Sequence, residues 1–214
     1  EEISSQELSS FLPLLPQEMK NTASPQVAFY YFANMIFQPF FLMIPMMCGS
    51  IAAASSFVGE KERGTIENLL LTPVSVKKIF TAKVIGCSLL SLLTTGISFI
   101  AFSVVMAVGN ILIGAVVFPT LSWGIVVLLL CPGVTVLSVS FMVLVSAKAK
   151  TFVEAQQMSG FIVLPIILLV VGQATGMMLL NPLNLFIGSV VVIAIDVLLL
   201  HFASSKFTAE KLLK

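Results

Sequence analysis

Hydrophobic positions in this chain come in long unbroken runs, and polar positions gather in the short stretches between them. Five runs qualify as membrane-spanning helices: 29–57, 79–108, 121–146, 158–180 and 183–203. Each supplies the roughly 20 apolar residues that a helix needs to cross a bilayer core. A membrane barrel would show alternating apolar and polar positions, and these runs are continuous. Lipid offers no partner to backbone amides, so such runs fold as helices with their hydrogen bonds satisfied inside the segment. The expected class is all-α: a polytopic membrane protein with five transmembrane helices and one short helix in the loop after the first span.

Several residues modify this picture. Pro39 and Pro45 lie in the first run, Pro132 in the third and Pro165 in the fourth. Each removes a helical hydrogen bond and predicts a kink. Gly172 and Gly176 form one GxxxG spacing, which permits close helix approach. Segment 111–118 is apolar yet sits between spans, and is expected to dip into the outer leaflet. Asn181-Pro182-Leu183-Asn184 reads as a tight break. Residues 1–26 are polar and read as the end of an extracytoplasmic domain, ahead of a transmembrane domain over 27–214. The chain opens Glu1-Glu2-Ile3 with no basic stretch before a short apolar one, so no signal peptide is expected.

Composition narrows the function. The 214 residues are 58% hydrophobic and 10% charged, with mean hydropathy +1.08, whereas soluble domains carry about 25% charged residues. This excludes a cytosolic enzyme. Eleven Lys and Arg against ten Asp and Glu form no basic face, which excludes nucleic acid as a partner. Cys48, Cys87 and Cys131 all lie in apolar runs and read as buried small hydrophobes; with one histidine, His201, no His-based metal site is expected.

Only Lys83 and Asp196 place a charge inside the spans. The remaining basic residues are distributed unevenly. Loops 59–78, 147–157 and 204–214 carry nine, and Lys83 can snorkel to the same side, while the opposite set carries Lys20 alone. The asymmetry places those three loops in the cytoplasm and the N-terminus outside.

The loop after the first span reads Gly59-Glu60-Lys61-Glu62-Arg63-Gly64-Thr65-Ile66-Glu67-Asn68-Leu69-Leu70-Leu71-Thr72-Pro73-Val74-Ser75. It predicts a charged turn, then a short helix capped by Thr65, with Ile66, Leu69 and Leu70 on one face. Thr72-Pro73 ends that helix and Ser75 can cap the next. A short amphipathic helix held between two spans suits docking to a soluble partner; it equally suits lying on lipid headgroups.

These residues carry a resemblance. Gly59 to Glu67, followed by Leu70-Leu71-Thr72-Pro73-Val74-Ser75, resembles the G-E-x-E-R-G-T-x-E … L-L-x-T-P-V-S signature of ABC export permeases of the type-2 class, closest to NatB-like sodium-efflux permeases. Lys150-Thr151-Phe152-Val153-Glu154-Ala155-Gln156 is similar to a second stretch of that branch, S-x-x-E-A-Q, with Thr151 where Ser is usual. The resemblance implies a six-helix pattern of which this chain holds helices two to six. It implies a coupling helix over 60–71 that touches a separate ATP-binding subunit, through Glu60, Glu62, Arg63, Gly64, Thr65, Glu67 and Leu70. Glu154 and Gln156 of the second loop would assist. It further implies a second permease chain, and ATP with magnesium bound in the partner subunit. The chain itself has no GxxxxGK[ST] loop, so no cofactor is expected in it. The implied function is export of sodium or of an amphipathic drug, peptide or lipid; the alternative is a non-transporting membrane anchor or signalling subunit.

Asp196 is the one carboxylate in a span, a candidate cation or proton site, with a hydrogen-bonded structural role as its alternative. His201 is five residues on, about 140° around a helix, and does not share its face. Intramembrane proteolysis is excluded in its zinc form by the single histidine, and its serine form lacks the Gly-x-Ser-Gly pattern.

Overall fold

A computed structural model of the chain describes residues 24–65, 74–114, 116, 118–146, 148–174 and 182–206. All regular structure among them is helical. Five helices follow one another up and down. The first, α1, is a composite of Ser24–Tyr31, Phe32–Ile36, Phe37–Phe41, Met43–Ala54, Ser55–Gly59 and Glu60–Glu62. Then come α2 (Val76–Ile113), α3 (Leu121–Ile125, Val126–Leu130 and Cys131–Ser146), α4 (Phe152–Ala174) and α5 (Pro182–Lys206). Four stretches are long and apolar enough to cross a membrane: Phe32–Glu62, Lys78–Ile113, Leu121–Ser146 and Pro182–Leu199. The 23 residues of α4 span about 35 Å at the helical rise, enough for a fifth crossing.

The helices outrun the apolar runs that predict them. The first run, 29–57, lies in a helix from Ser24 to Glu62, because Glu60, Lys61 and Glu62 are good helix formers and prolong it past the hydrocarbon. The second, 79–108, becomes Val76–Ile113, so residues 111–113 of the apolar stretch after it continue α2. Gly114 stops α2 in the left-handed conformation, φ 68°, with its N–H on Asn110 O at 3.0 Å. The return to α3 is tied by Asn110 Nδ2 donating to Phe118 O, 2.7 Å, and Phe118 turns into the core while Val116 stays exposed. The fourth run, 158–180, begins earlier, at Phe152; residues 175–181, with Gly176 and Asn181, lie outside the described residues.

The prolines act unequally. In α1 the helix resets at Leu42, whose N–H reaches Pro39 O at 3.2 Å, while Pro45 sits inside the next helical stretch. Pro132 follows the π-helical turn Val126–Leu130, a widening that accommodates its missing N–H. Pro165 is accepted within α4 without a break.

The third helix is the hub: it packs against all four others, and α1 packs against α2, α3 and α4. In lipid apolar burial drives little, so close packing has to hold the bundle together. Two cores result. One surrounds Trp123, whose ring meets Phe41, Phe99, Phe102 and Phe118 at centroid separations of 4.8–6.0 Å. The other, at the charged end, gathers Phe57, Val58, Phe80, Val84, Met142 and Val143. Between them α1 and α3 approach through Gly49, where a Cβ would lie 2.5 Å from Ser138 Oγ. Ile85, Leu89, Leu93, Ile97 and Ile100 of α2 form an outward apolar face suited to lipid.

Candidate coupling site

The charged end of the bundle is built from three helix ends. Gly64 adopts φ 67°, and its N–H reaches Lys61 O at 3.2 Å while the Thr65 N–H reaches Glu60 O at 3.1 Å. This pair of bonds is the Schellman closure of a helix C-terminus. The Thr65 hydroxyl adds a third donor, to Glu60 O at 3.2 Å. Thr65 therefore closes α1, and the turn begins at Arg63 and not at Gly59; the helix that Thr65 is also expected to cap lies outside the described residues. Arg63 is exposed at that turn. The short helix expected over 60–71 falls mostly on residues 66–73, with Glu67 and Leu70, outside the described residues. Ser75 starts α2 by its backbone: its carbonyl accepts the N–H of Lys78 and Ile79 at 2.9 and 3.2 Å, but its side chain makes no capping bond.

The second loop carries a helix start. The Thr151 hydroxyl accepts the Glu154 N–H at 3.2 Å, and the Glu154 carboxylate accepts the Lys150 N–H at 2.9 Å. This is close to a capping box, with the carboxylate reaching one residue further back. The N–H of Phe152 remains, and Glu62 of the first loop takes it: Glu62 Oε2 accepts it at 2.8 Å across 90 residues of sequence. A carboxylate at a helix N-terminus also meets the positive end of the helix dipole. Ala155 and Gln156 follow on α4, Ala155 fully buried and the Gln156 side-chain carbonyl buried with no hydrogen-bond partner among the described residues.

Glu60 faces the other way. It forms an ion pair with Lys83 of α2, whose ammonium also donates to Ser56 O at 2.8 Å and lies 5.3 Å from the centre of the Phe57 ring. Lys83 thus does not simply snorkel to the surface; it is paired inside the bundle. Its sequence signal was a lone cation in an apolar run, and such a cation needs a counter-charge. Of the residues expected at a coupling site, Glu60 holds α2, Glu62 holds α4, Gly64 and Thr65 end α1, and Arg63 faces out.

Asp196 is elsewhere. It is 5% exposed on α5, where it packs towards Gly133 of α3: a Cβ on that glycine would meet Asp196 Oδ2 at 3.8 Å. Its other oxygen, Oδ1, has no hydrogen-bond partner among the described residues. Gln38 of α1, which the sequence did not single out, is 1% exposed, and neither amide atom is paired among the described residues. It is an amide inside an apolar run, and that was the available signal.

Residues 5–207 match the family described as ABC-2 family transporter protein. The chain belongs to the ABC-2 transporter family. As an ABC-2 chain it is a permease component of an ABC transporter, a membrane-transport part with no catalysis of its own. No curated protein and no solved structure matches it.

Proposed function

We propose that this ABC-2 permease is the membrane half of an ATP-driven exporter, with its charged end in the cytoplasm and a separate ATP-binding subunit docked on the loop at 60–71. The observation that supports this most is the contact of Glu62 with Phe152. Two stretches matching family motifs, 90 residues apart, meet at one end of the bundle through it. An anchor or signalling subunit would have no need to join them. Two permease chains would line the pathway. ATP binding would draw the ATPases together and move the loop, shifting the pathway from inward- to outward-facing.

Substrate choice rests on the NatB-like motif and on Asp196. A buried carboxylate oxygen without a hydrogen-bond partner among the described residues suits a sodium ion or a proton. Amphipathic drugs, peptides and lipids are the second class, favoured by the apolar interior.

A photo-cross-linking residue at Arg63, in the intact transporter, tests the docking. It should capture a chain bearing a phosphate-binding GxxxxGK[ST] loop, and the same probe at Val116, exposed at the opposite end, should not. Equal capture at both ends, or lipid alone at Arg63, would remove the docking reading.

A further inference from the structure

Lys83 has three N–H donors and an aliphatic stem, and its side chain is only 15% exposed. An ammonium so placed is costly unless it is paired and hydrogen-bonded. Its partners come from neighbouring residues of α1: the Ser56 carbonyl and the Phe57 ring in one turn, and the Glu60 carboxylate just after it. That turn, Ser55–Gly59, is π-helical. A π turn inside an α-helix is rare and frequently marks a functional site. The ammonium on Ser56 O ties this one to α2.

The π turn sets where the following residues point. It admits one extra residue, and one residue of slip rotates everything beyond it by about 100° and shifts it by about 1.5 Å along the axis. Glu60 and Glu62 lie immediately beyond it. Were the turn to tighten to α, Glu62 would swing away from the Phe152 N–H.

We propose that Lys83 is a positioning residue of the coupling apparatus: from α2 it holds the widened end of α1 in the phase that seats Glu62 on α4. The three helix ends then form one clasp. A push on the turn at Arg63 reaches α1 directly, α2 through Lys83 and α4 through Glu62, so the helices move together. The proposal rests on the coupling reading for its use in transport, but the geometry it asserts stands apart from that reading.

Spin labels at Lys61→Cys and Val153→Cys, with the three native cysteines replaced, measure the clasp by pulsed electron-spin distance in lipid nanodiscs. With native Lys83 a single narrow distance is expected. Lys83→Met keeps the stem and removes the charge; it should broaden the distribution or add a second distance. Lys83→Arg keeps the charge and should restore the narrow one, which a packing role alone would not require. An unchanged distance in Lys83→Met, or equal broadening in Lys83→Arg, overturns the proposal. If Lys83→Met does not accumulate in the membrane, Glu60→Gln serves instead: broadening supports the clasp and the native width overturns it. Cross-linking at Arg63 separates the two readings. A responsive distance with no ATPase captured sinks the coupling reading alone; a captured ATPase with an unresponsive distance sinks the role of Lys83 alone.

Discussion

Glu62 accepts the backbone N–H of Phe152 at 2.8 Å, so the end of the first described helix caps the start of the fourth. Neither residue would need the other in an isolated loop. Each helix end has orphan backbone groups, and here one loop's carboxylate satisfies the other's amide. The charged motif is therefore in part a structural joint.

Removing that joint should loosen α4 locally. Glu62→Ala takes away the acceptor and the charge, and a helix cap is worth about 1 kcal/mol. At this exposed position the loss should fall below that figure. Hydrogen exchange should show faster exchange at Phe152 and Val153, with α3 unaffected. Glu62→Gln keeps an acceptor and should fall between. Native protection in Glu62→Ala would mean that the contact does not hold the helix start.

Gly49 governs the α1–α3 crossing. A methyl there would lie 2.5 Å from Ser138 Oγ, with Val139 Cγ2 at 3.4 Å and Thr135 O at 3.5 Å. Ser138 is buried and donates to Thr135 O at 2.8 Å, so its hydroxyl gives way only at a cost. Gly49→Ala should destabilise the bundle by about 1–3 kcal/mol, in the range of other overpacked sites. Adding Ser138→Ala removes the clashing atom and should recover most of the loss. Thermal unfolding in detergent reads both, and additive losses would count against the crossing.

Asp196 distinguishes the substrate classes. Asp196→Asn keeps size and hydrogen-bonding capacity but removes the charge. If sodium or a proton is carried, sodium-dependent efflux from vesicles should collapse while the protein still assembles. If the carboxylate only bridges α5 to α3, Asn should serve and Asp196→Leu should damage assembly. Wild-type efflux in the Asn variant would take Asp196 out of the pathway and leave amphipathic substrates.

The sequence was most legible where one segment decides the outcome alone. The run 121–146 coincides with Leu121–Ser146, since an apolar stretch of that length has to be helical in lipid. Ends were less legible. The apolar run stops at Phe57, but the helix continues through Glu60–Glu62 because helix propensity outlasts hydrophobicity. Thr65 was legible as a cap for the helix after it, which lies outside the described residues, but not as part of the closure of α1, which the left-handed Gly64 sets. Long-range pairings were hidden. Lys83 was visible as a cation in a span, but Glu60 is 23 residues away and the Glu62 partner 90, distances that only the folded bundle closes. Gln38 was lost among its apolar neighbours.

On the proposed function, the turn at 63–65 passes ATP-driven motion to this permease. Arg63 tests it most directly, being exposed at that turn and outside the clasp contacts described for Glu60 and Glu62. In proteoliposomes holding the permease and its ATP-binding subunit, ATP hydrolysis and transport are measured together for wild type and Arg63→Ala. The variant should insert normally and keep residual basal hydrolysis, with permease-stimulated hydrolysis and transport both reduced. Wild-type stimulation and transport in Arg63→Ala would contradict it.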